Sequence, residues 1–312
     1  MRAGSADALS PKTSAVSRSD TMVIALFGPT SVGKTGVAIS MANLLRAQGH
    51  DPVAVNCDSI QIYRGLEVIS GAATREEREQ LEHRLVGFVD PAEEMSAGTY
   101  AAIAHREIDS LLQEGKLPLV VGGTGLWLRA ALSDLDLRPP VDKQIRSAVE
   151  QDLREQGAEA LHAELPEHLS AKVHPNDSNR IVRWTALLRS EIEPLTDASG
   201  MWEADLRHPT RMIGLIDAKE DLARRISIRV DGMQLAAQAE AEALDSKGLG
   251  RTASAAIGLE EFRSGDLDSI KAQHRAYAKR QITWMRKIPG VELVERDDDS
   301  DAEVAARILQ PR

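Results

Sequence analysis

Residues 28–35 read GPTSVGKT, which matches the phosphate-binding pattern G-x-x-x-x-G-K-[ST] without a mismatch. Gly28 and Gly33 let the chain turn so tightly that several backbone N–H groups point into one concavity. Lys34 adds a positive charge there, and the hydroxyl of Thr35 is placed to bind Mg²⁺. A helix that begins at Gly33 directs the positive end of its dipole at the same anion. The motif therefore predicts phosphate chemistry, and it leaves open whether the ligand is ATP or another pyrophosphate.

The residues on either side of this loop have the pattern that the motif requires. Residues 22–27 (MVIALF) form a short, continuous apolar run, which is typical of a buried parallel strand. After Thr35 the apolar residues recur at helical spacing, at Val37, Ala38, Met41, Ala42, Leu44 and Leu45. The sequence therefore predicts a strand, a phosphate-binding loop and a helix in succession.

Further strand-like runs alternate with helical patterns along the chain, at 52–56, 117–121, 212–216 and 291–294. This alternation predicts an α/β fold, a P-loop NTPase-like parallel sheet with helices on both faces. We assign this core to residues 21–131 and 208–312. Ligands of such sheets bind at the carboxyl ends of the strands, so residues that follow those strands are candidate site residues.

The remaining segments differ in composition from the core. Residues 132–207 are helix-rich, lack strand candidates and include a Pro139-Pro140 break, which predicts a helical insertion domain. Residues 1–20 are rich in Ser and Ala and predict a disordered tail. Towards the end of the chain we expect helices over 221–245, 252–264 and 268–288. The acidic residues of 297–301 are expected to be solvated.

Composition excludes several other classes of protein. The 312 residues contain no apolar run long enough to cross a membrane, so we expect a cytoplasmic protein with no membrane partner. A formal net charge of −10 argues against non-specific coating of nucleic acid, although a local basic surface is compatible with it. The single cysteine, Cys57, excludes an intramolecular disulfide and fits a reducing compartment. We expect a monomer.

Two polar residues follow predicted strands and are candidates for chemistry. Asp58 comes directly after the strand at 52–56, where a carboxylate could bind Mg²⁺ or accept a proton from a substrate. It could equally cap the next helix. Thr124 lies within Gly122-Gly123-Thr124-Gly125, which either brings backbone and hydroxyl close to a ligand or only makes a tight turn.

Basic residues on two helices are candidate anion-binding groups. Arg225 and Arg229 are four residues apart on one face, where two guanidinium groups suit a diphosphate, although a solvated charged face is the alternative. The last long helix carries Lys271, Arg275 and Lys279, and it has no acidic residue from 271 to 287. With Gln281 and Trp284 interleaved among its cations, this helix is a candidate nucleic-acid surface.

Taken together, these motifs identify a resemblance to a known family. They occur in the order GPTSVGKT (28–35), DSxQxYRG (58–65), VGGTGL (121–126), HPND (174–177) leading to Arg180 and Arg183, AIG (256–258) and KRQITW (279–284). The chain resembles the tRNA dimethylallyltransferases over residues 21–296. The phosphate loop is generic, but DSxQxYRG and KRQITW together are specific to this family.

The resemblance implies transfer of a dimethylallyl group from dimethylallyl diphosphate to N6 of the adenosine just 3′ of a tRNA anticodon. Asp58 is then the general base, Thr124 contacts the flipped-out adenosine and Lys34 stabilises the leaving group, with Mg²⁺ on Thr35. The donor-binding residues would be Gly28, Pro29, Thr30, Ser31, Val32, Gly33, Lys34, Thr35, Arg225 and Arg229. The tRNA-binding residues would be Asp58, Ser59, Ile60, Gln61, Thr124, Arg146, Arg180, Arg183, Lys279, Arg280, Gln281, Trp284 and Arg286. The insertion would close over the anticodon stem-loop.

Four positions depart from the family pattern, at Ala73, Glu82, Lys219 and Leu259. Three rival interpretations share the loop: an adenylate dimethylallyltransferase that makes free cytokinin, a small-molecule kinase that uses ATP, and a non-catalytic module that binds nucleotide and RNA. The basic last helix and the insertion favour a tRNA substrate over free adenylate. A kinase would need an arginine-rich lid over the transferred phosphoryl group.

Overall fold

The structure, a computed structural model, describes residues 22–196, 205–244 and 248–310, so the predicted tail at 1–20 lies outside the described residues. Six parallel strands form one sheet in the order β3-β2-β4-β1-β5-β6. The strands are β1 Val23–Phe27, β2 Pro52–Asn56, β3 His83–Arg84, β4 Leu117–Gly122, β5 Thr210–Ile216 and β6 Glu292–Glu295. The predicted α/β fold with a parallel sheet is confirmed.

The helices connect and cover these strands. They are α1 Lys34–Ala47, α2 Glu67–Ser70, α3 Arg75–Gln80, α4 Ala97–Gln113, α5 Gly125–Leu132, α6 Lys143–Gln156, α7 Ala158–Glu164, α8 Glu167–Ser170, α9 Ser178–Arg189, α10 Lys219–Leu244, α11 Arg251–Ser254, α12 Leu259–Ser264, α13 Leu267–Met285 and α14 Asp301–Leu309.

Strand β1 is at the centre of the sheet because all five of its residues are apolar and buried. It pairs with β4 on one side and β5 on the other, with Ile24 opposite Leu119 and Leu26 opposite Ile213. A strand that is buried on both faces needs no alternation of polar and apolar residues. The phosphate loop leaves the carboxyl end of this strand and leads into α1, as the motif predicts.

Three local predictions need correction. Strand β3 was missed because it has only two residues, paired with β2 at Ala54 and Val55. The helix predicted over 252–264 is two short helices, α11 and α12, because Gly258 interrupts it with a φ of +94°. The acidic residues 297–301 are not simply solvated, since Asp301 begins α14 and pairs with Arg296 at 2.6 Å.

The segment between β4 and β5 has an apolar core of its own. Its buried members are Val149, Leu161, Leu165, Leu169, Val173, Ile181, Val182, Trp184 and Ala186, contributed by α6 to α9 and the turns between them. The chain leaves the α/β core beside Ser133 and returns beside Leu206, where the two residues form an antiparallel bridge. The predicted bounds of the insertion domain, 132 and 207, stay a prediction.

Across the described ranges, no helix combines the length and the apolar character that crossing a membrane would require.

Candidate active site

A cavity of about 550 Å³ opens beside the phosphate loop. Several parts of the chain line it, among them the loop itself, the segment 58–61 after β2, residues 69–71, Arg229 of α10, residues within 252–257, and the inward face of α13. The loop follows β1 and the 58–61 segment follows β2, the two strands that flank β4, and an α/β sheet binds its ligands at such carboxyl ends. The structure therefore brings together most of the residues that the sequence marked as donor-binding or catalytic.

The phosphate loop has the strained backbone of an anion cradle. Ser31 has a φ of +65° and Gly33 a φ of +90°. Gly28 must be glycine because a Cβ there would lie 2.6 Å from the carbonyl oxygen of Leu215. The Lys34 ammonium donates to the carbonyl oxygens of Gly28 and Pro29, at 3.1 and 2.9 Å. Lys34 is thus folded back over the loop, facing the space that a phosphate group would fill.

Burial sets the charge state of Lys34. Loss of water around the ammonium lowers the pKa of Lys34 to about 8, although the Asp58 carboxylate acts in the opposite direction. The neighbouring guanidinium of Arg229 lowers that pKa further. An anion bound between these two cations would restore the missing counter-charge.

Asp58 caps a turn and also lines the cavity, while its predicted role as base stays a prediction. Its Oδ1 accepts a hydrogen bond from the backbone N–H of Ile60 at 3.0 Å, so it caps the turn after β2. It also lines the cavity, and its charge influences Lys34 and Arg229. Burial raises the pKa of the adjacent Cys57 thiol, so that residue stays protonated and is no nucleophile.

Thr124 reaches the site through a residue that the sequence did not single out. Its hydroxyl lies 3.3 Å from the hydroxyl of Tyr277, which lines the cavity. Burial raises the pKa of Tyr277, so the phenol keeps its proton. Tyr277 precedes Gln281 by one helical turn in α13. This spacing is the sequence signal that could have indicated that both side chains face the cavity.

The predicted arginine pair on α10 is separated in the structure. Arg229 donates to the Thr30 hydroxyl at 3.0 Å and lies against Gly71. Arg225 instead pairs with the buried carboxylate of Asp217 at 2.9 Å and does not line the cavity. The expectation that both bind the diphosphate therefore fails for Arg225. Four residues of helix advance by about 6 Å, so one face can serve two different neighbours.

Two residues of KRQITW are internal contacts, which argues against their predicted role on RNA. Gln281 is 2% exposed and joins the backbone N–H of Thr30 to the carbonyl oxygen of Gly123. Trp284 is half-buried and stacks on Phe27 with ring centroids 5.7 Å apart. Lys279, Arg280 and Arg286 are exposed, as a nucleic-acid surface requires.

The basic row on this helix is also shorter than predicted. Lys271 pairs with Asp231 of α10 at 2.6 Å, so an acidic partner from another helix neutralises it. Arg280 lies over the ring of Tyr277, with its guanidinium carbon 5.6 Å from the centroid. Of the cations on this helix, Arg280 lines the cavity.

The insertion contains three of the arginines predicted to bind tRNA, and each has a contact within the insertion or its flanks. Arg146 pairs with Glu150 at 2.9 Å, and Arg180 lies 3.6 Å from Asp177. Arg183 donates to the carbonyl oxygens of Arg138 and Pro139.

Arg183 also marks a basic cluster that spans the two parts of the chain. Burial lowers its pKa, and the charges of Arg146 and Arg251 lower it further. Arg251 belongs to α11 of the core and adjoins Thr252, which lines the cavity. Sequence reasoning missed Arg251, because nothing in its local pattern distinguishes it from a solvated arginine.

His274 is a second cavity-lining residue that lacked a sequence signal. It is 7% exposed, and neither ring nitrogen has a hydrogen-bond partner among the residues that the structure describes. Burial, with a smaller contribution from Arg229, lowers the pKa of His274 to about 4, so the ring is neutral at pH 7.

Comparison with known proteins identifies relatives over most of the chain. A family model described as IPP transferase matches residues 61–288. The tRNA dimethylallyltransferase of Kineococcus radiotolerans is 36% identical over 306 residues, covering 92% of this chain and 95% of the relative. That of Thermobifida fusca is 35% identical over 291 residues, covering 88% and 90%.

Solved structures share the fold. The tRNA isopentenylpyrophosphate transferase of Bacillus halodurans superposes with a TM-score of 0.65 at 28% identity, covering 93% of this chain and 94% of that one. A eukaryotic dimethylallyltransferase acting on tRNA has a TM-score of 0.72 at 24% identity, covering 92% and 78%. From the match over most of its length, we conclude that the chain belongs to the IPP transferase family.

Proposed function

We propose that this protein transfers a dimethylallyl group from dimethylallyl diphosphate to N6 of the adenosine just 3′ of the anticodon in tRNA. The observation that carries the proposal is the single cavity that joins the phosphate loop to Asp58 and Tyr277. A diphosphate cradle and a proton acceptor within one enclosure suit alkyl transfer with diphosphate as the leaving group. Relatives named tRNA dimethylallyltransferase, at 36% and 35% identity, support the assignment.

At the donor end, the loop's backbone N–H groups would hold the diphosphate, with Lys34 and Arg229 on either side. Both cations line the cavity, and both are deprived of water by burial. Preorganised donors in such an environment stabilise developing charge strongly, because nothing has to reorganise as the reaction proceeds. The negative charge that forms as the carbon–oxygen bond breaks would develop at this point.

Thr35 fits a role in holding Mg²⁺. It lies in the first turn of α1 and lines the cavity. Within 22–196, 205–244 and 248–310, no group of three or more His, Cys, Asp or Glu could form a metal cage. That suits Mg²⁺, which commonly binds through one or two protein oxygens, several waters and the substrate's phosphates. When bound, the ion would neutralise charge on the departing diphosphate.

At the acceptor end, the Asp58 carboxylate would take the proton that N6 loses. The N6–carbon bond forms, the carbon–oxygen bond to diphosphate breaks, and the proton moves to Asp58. An exocyclic amine of adenine is a poor nucleophile, so positioning and a nearby base both matter. The Thr124 and Tyr277 hydroxyls, 3.3 Å apart, would position a base that has been turned out of the anticodon loop.

The acceptor would be tRNA because exposed cations lie at or near this cavity. Arg280 lines it and is exposed together with Lys279 and Arg286, while Arg251 adjoins the cavity-lining Thr252 and acts with Arg146 on the charge of Arg183. A stem-loop presents phosphates on both sides of the base that is to be modified. Contacts to the backbone and to splayed loop bases are the usual way in which single-stranded RNA is bound.

The test is a transfer assay with labelled dimethylallyl diphosphate and Mg²⁺. The acceptors are an unmodified tRNA with adenosine 3′ of its anticodon, the same tRNA with guanosine there, AMP, and no acceptor. We expect label only in the adenosine-bearing tRNA. Label in AMP alone would indicate a free-cytokinin enzyme, and label in no acceptor would refute prenyl transfer. Transfer of a labelled γ-phosphate from ATP to a small molecule would favour a kinase.

A further inference from the structure

The phosphate loop rests on an arginine from the far end of the chain. Arg296 follows β6 and is 7% exposed. Its backbone N–H donates to the carbonyl oxygen of Ile216 at 2.8 Å, which keeps it beside the end of β5. Its Nη1 donates to the carbonyl oxygen of Val32 at 3.2 Å, inside the loop. The guanidinium lies so close beneath Gly33 that any Cβ there would collide with it.

A carboxylate holds this arginine in place. Oδ1 of Asp301 lies 2.6 Å from Nη2 of Arg296, and Oδ2 of the same carboxylate lies against Gly36 in the first turn of α1. Asp301 is the first residue of α14, whose N-terminus is capped by Ser300 and which packs along α1. The arginine is therefore fixed from two sides, by the end of the sheet and by α14.

The contact with Val32 determines where the next N–H group points. In a trans peptide the carbonyl of one residue and the N–H of the next point in opposite directions. Because Arg296 holds the Val32 carbonyl beneath the loop, the N–H of Gly33 is directed to the opposite side, towards the anion cradle.

We propose that Arg296 is a positioning residue of the diphosphate cradle, acting through the Val32–Gly33 peptide, with Asp301 as the group that holds it. The inference rests on the proposed function, since it assumes that the loop binds a diphosphate. Arg296 lies outside the residues that the family model matches. The segment after β6 thereby becomes part of the donor site.

The test measures binding of inorganic pyrophosphate with Mg²⁺ by calorimetry, on the full chain, for Arg296→Gln, Arg296→Lys and Asp301→Asn. The matched control is Arg307→Gln, because Arg307 belongs to the same segment but pairs with Asp299 at 2.7 Å, away from the loop. We expect Arg296→Gln to weaken binding about tenfold or more, since loss of one preorganised donor has effects of that size. Arg296→Lys should be intermediate, and Arg307→Gln should bind like wild type.

Kinetic and stability measurements distinguish a positioning role of Arg296 in the donor site from a role in packing alone. We expect Arg296→Gln to raise the KM for dimethylallyl diphosphate while tRNA affinity stays unchanged. If it lowers the melting temperature but binds pyrophosphate within twofold of wild type, the inference is overturned. If Arg296→Gln does not fold, pyrophosphate binding by Arg296→Lys is the deciding measurement. Unchanged binding would then contradict the inference, and weaker binding would support it. Failure of the wild type to bind pyrophosphate would instead refute the proposed function.

Discussion

Gln281 provides the sharpest test of how the site is built, because its amide braces two loops that are far apart in sequence. Its Oε1 accepts from the backbone N–H of Thr30 at 2.8 Å, and its Nε2 donates to the carbonyl oxygen of Gly123 at 2.7 Å. The side chain is 2% exposed. Replacing it by Met keeps a flexible chain of similar length and removes both hydrogen bonds.

The expected cost follows from the two groups that Gln281→Met leaves unpaired. Each buried backbone group without a partner costs about 1–3 kcal/mol, so the free energy of unfolding should fall by about 2–6 kcal/mol. Gln281→Glu is the informative companion, because it keeps an acceptor for Thr30 but places a carboxylate oxygen against the Gly123 carbonyl. We expect it to be at least as destabilising.

The assay is urea denaturation followed by circular dichroism, with Gln273→Met as the control. Gln273 lies on the same helix, is only partly buried and bonds to Glu261 and Ser269. We expect that control to cost less than about 1 kcal/mol, as surface hydrogen bonds usually do. RNA affinity of the folded fraction, measured over a salt series, should not change for Gln281→Met. A stable Gln281→Met protein that has lost RNA affinity would refute the brace and restore the predicted RNA contact.

Three further outcomes follow from the site. Asp58→Asn keeps the turn-capping oxygen but removes the base, so turnover should fall by about 100-fold or more with tRNA affinity retained; a loss below tenfold would exclude Asp58 as the base. The pKa of Lys34 is about 8, so pyrophosphate affinity should decline as pH rises above 8, because anion binding then requires uptake of a proton. In calorimetry from pH 6.5 to 9.5, Lys34→Met should flatten this decline, and an equal decline in both proteins would assign it to another group. Lys279→Ala and Arg280→Ala should weaken tRNA binding and reduce the salt slope by about one unit each, unlike the exposed control Arg106→Ala; unchanged slopes would remove α13 from the interface.

Local patterns sufficed for the elements of the α/β core. The run at 22–27 and the helical spacing after Thr35 predicted β1 and α1, because a buried parallel strand and an amphipathic helix each leave a distinct periodicity. Strand β3 left no such pattern, since two residues that pair only through their backbone need no particular side chains. The interruption of the predicted helix at Gly258 left no sequence signal either, because glycine occurs for several reasons and a positive φ is only one of them.

Some residues of the candidate site could likewise be predicted from sequence, and others could not. The loop, Asp58 and Thr124 could be named from sequence, because each follows a strand whose end faces the ligand in a parallel sheet. The different roles of Arg225 and Arg229 could not be predicted from sequence, since both residues occupy one helical face. Only the surrounding structure shows that the buried Asp217 pairs with Arg225.

The sequence by itself indicated a phosphate-binding loop, five of the six core strands and the family resemblance, because these depend on residues within a few positions of one another. Only the tertiary structure decided which distant side chains support the phosphate loop. Gln281 and Arg296 contact the loop across 251 and 264 residues of sequence. Contacts of that range depend on how α13 and the segment after β6 pack on the sheet, and packing follows from shape and burial across the whole molecule rather than from any local pattern.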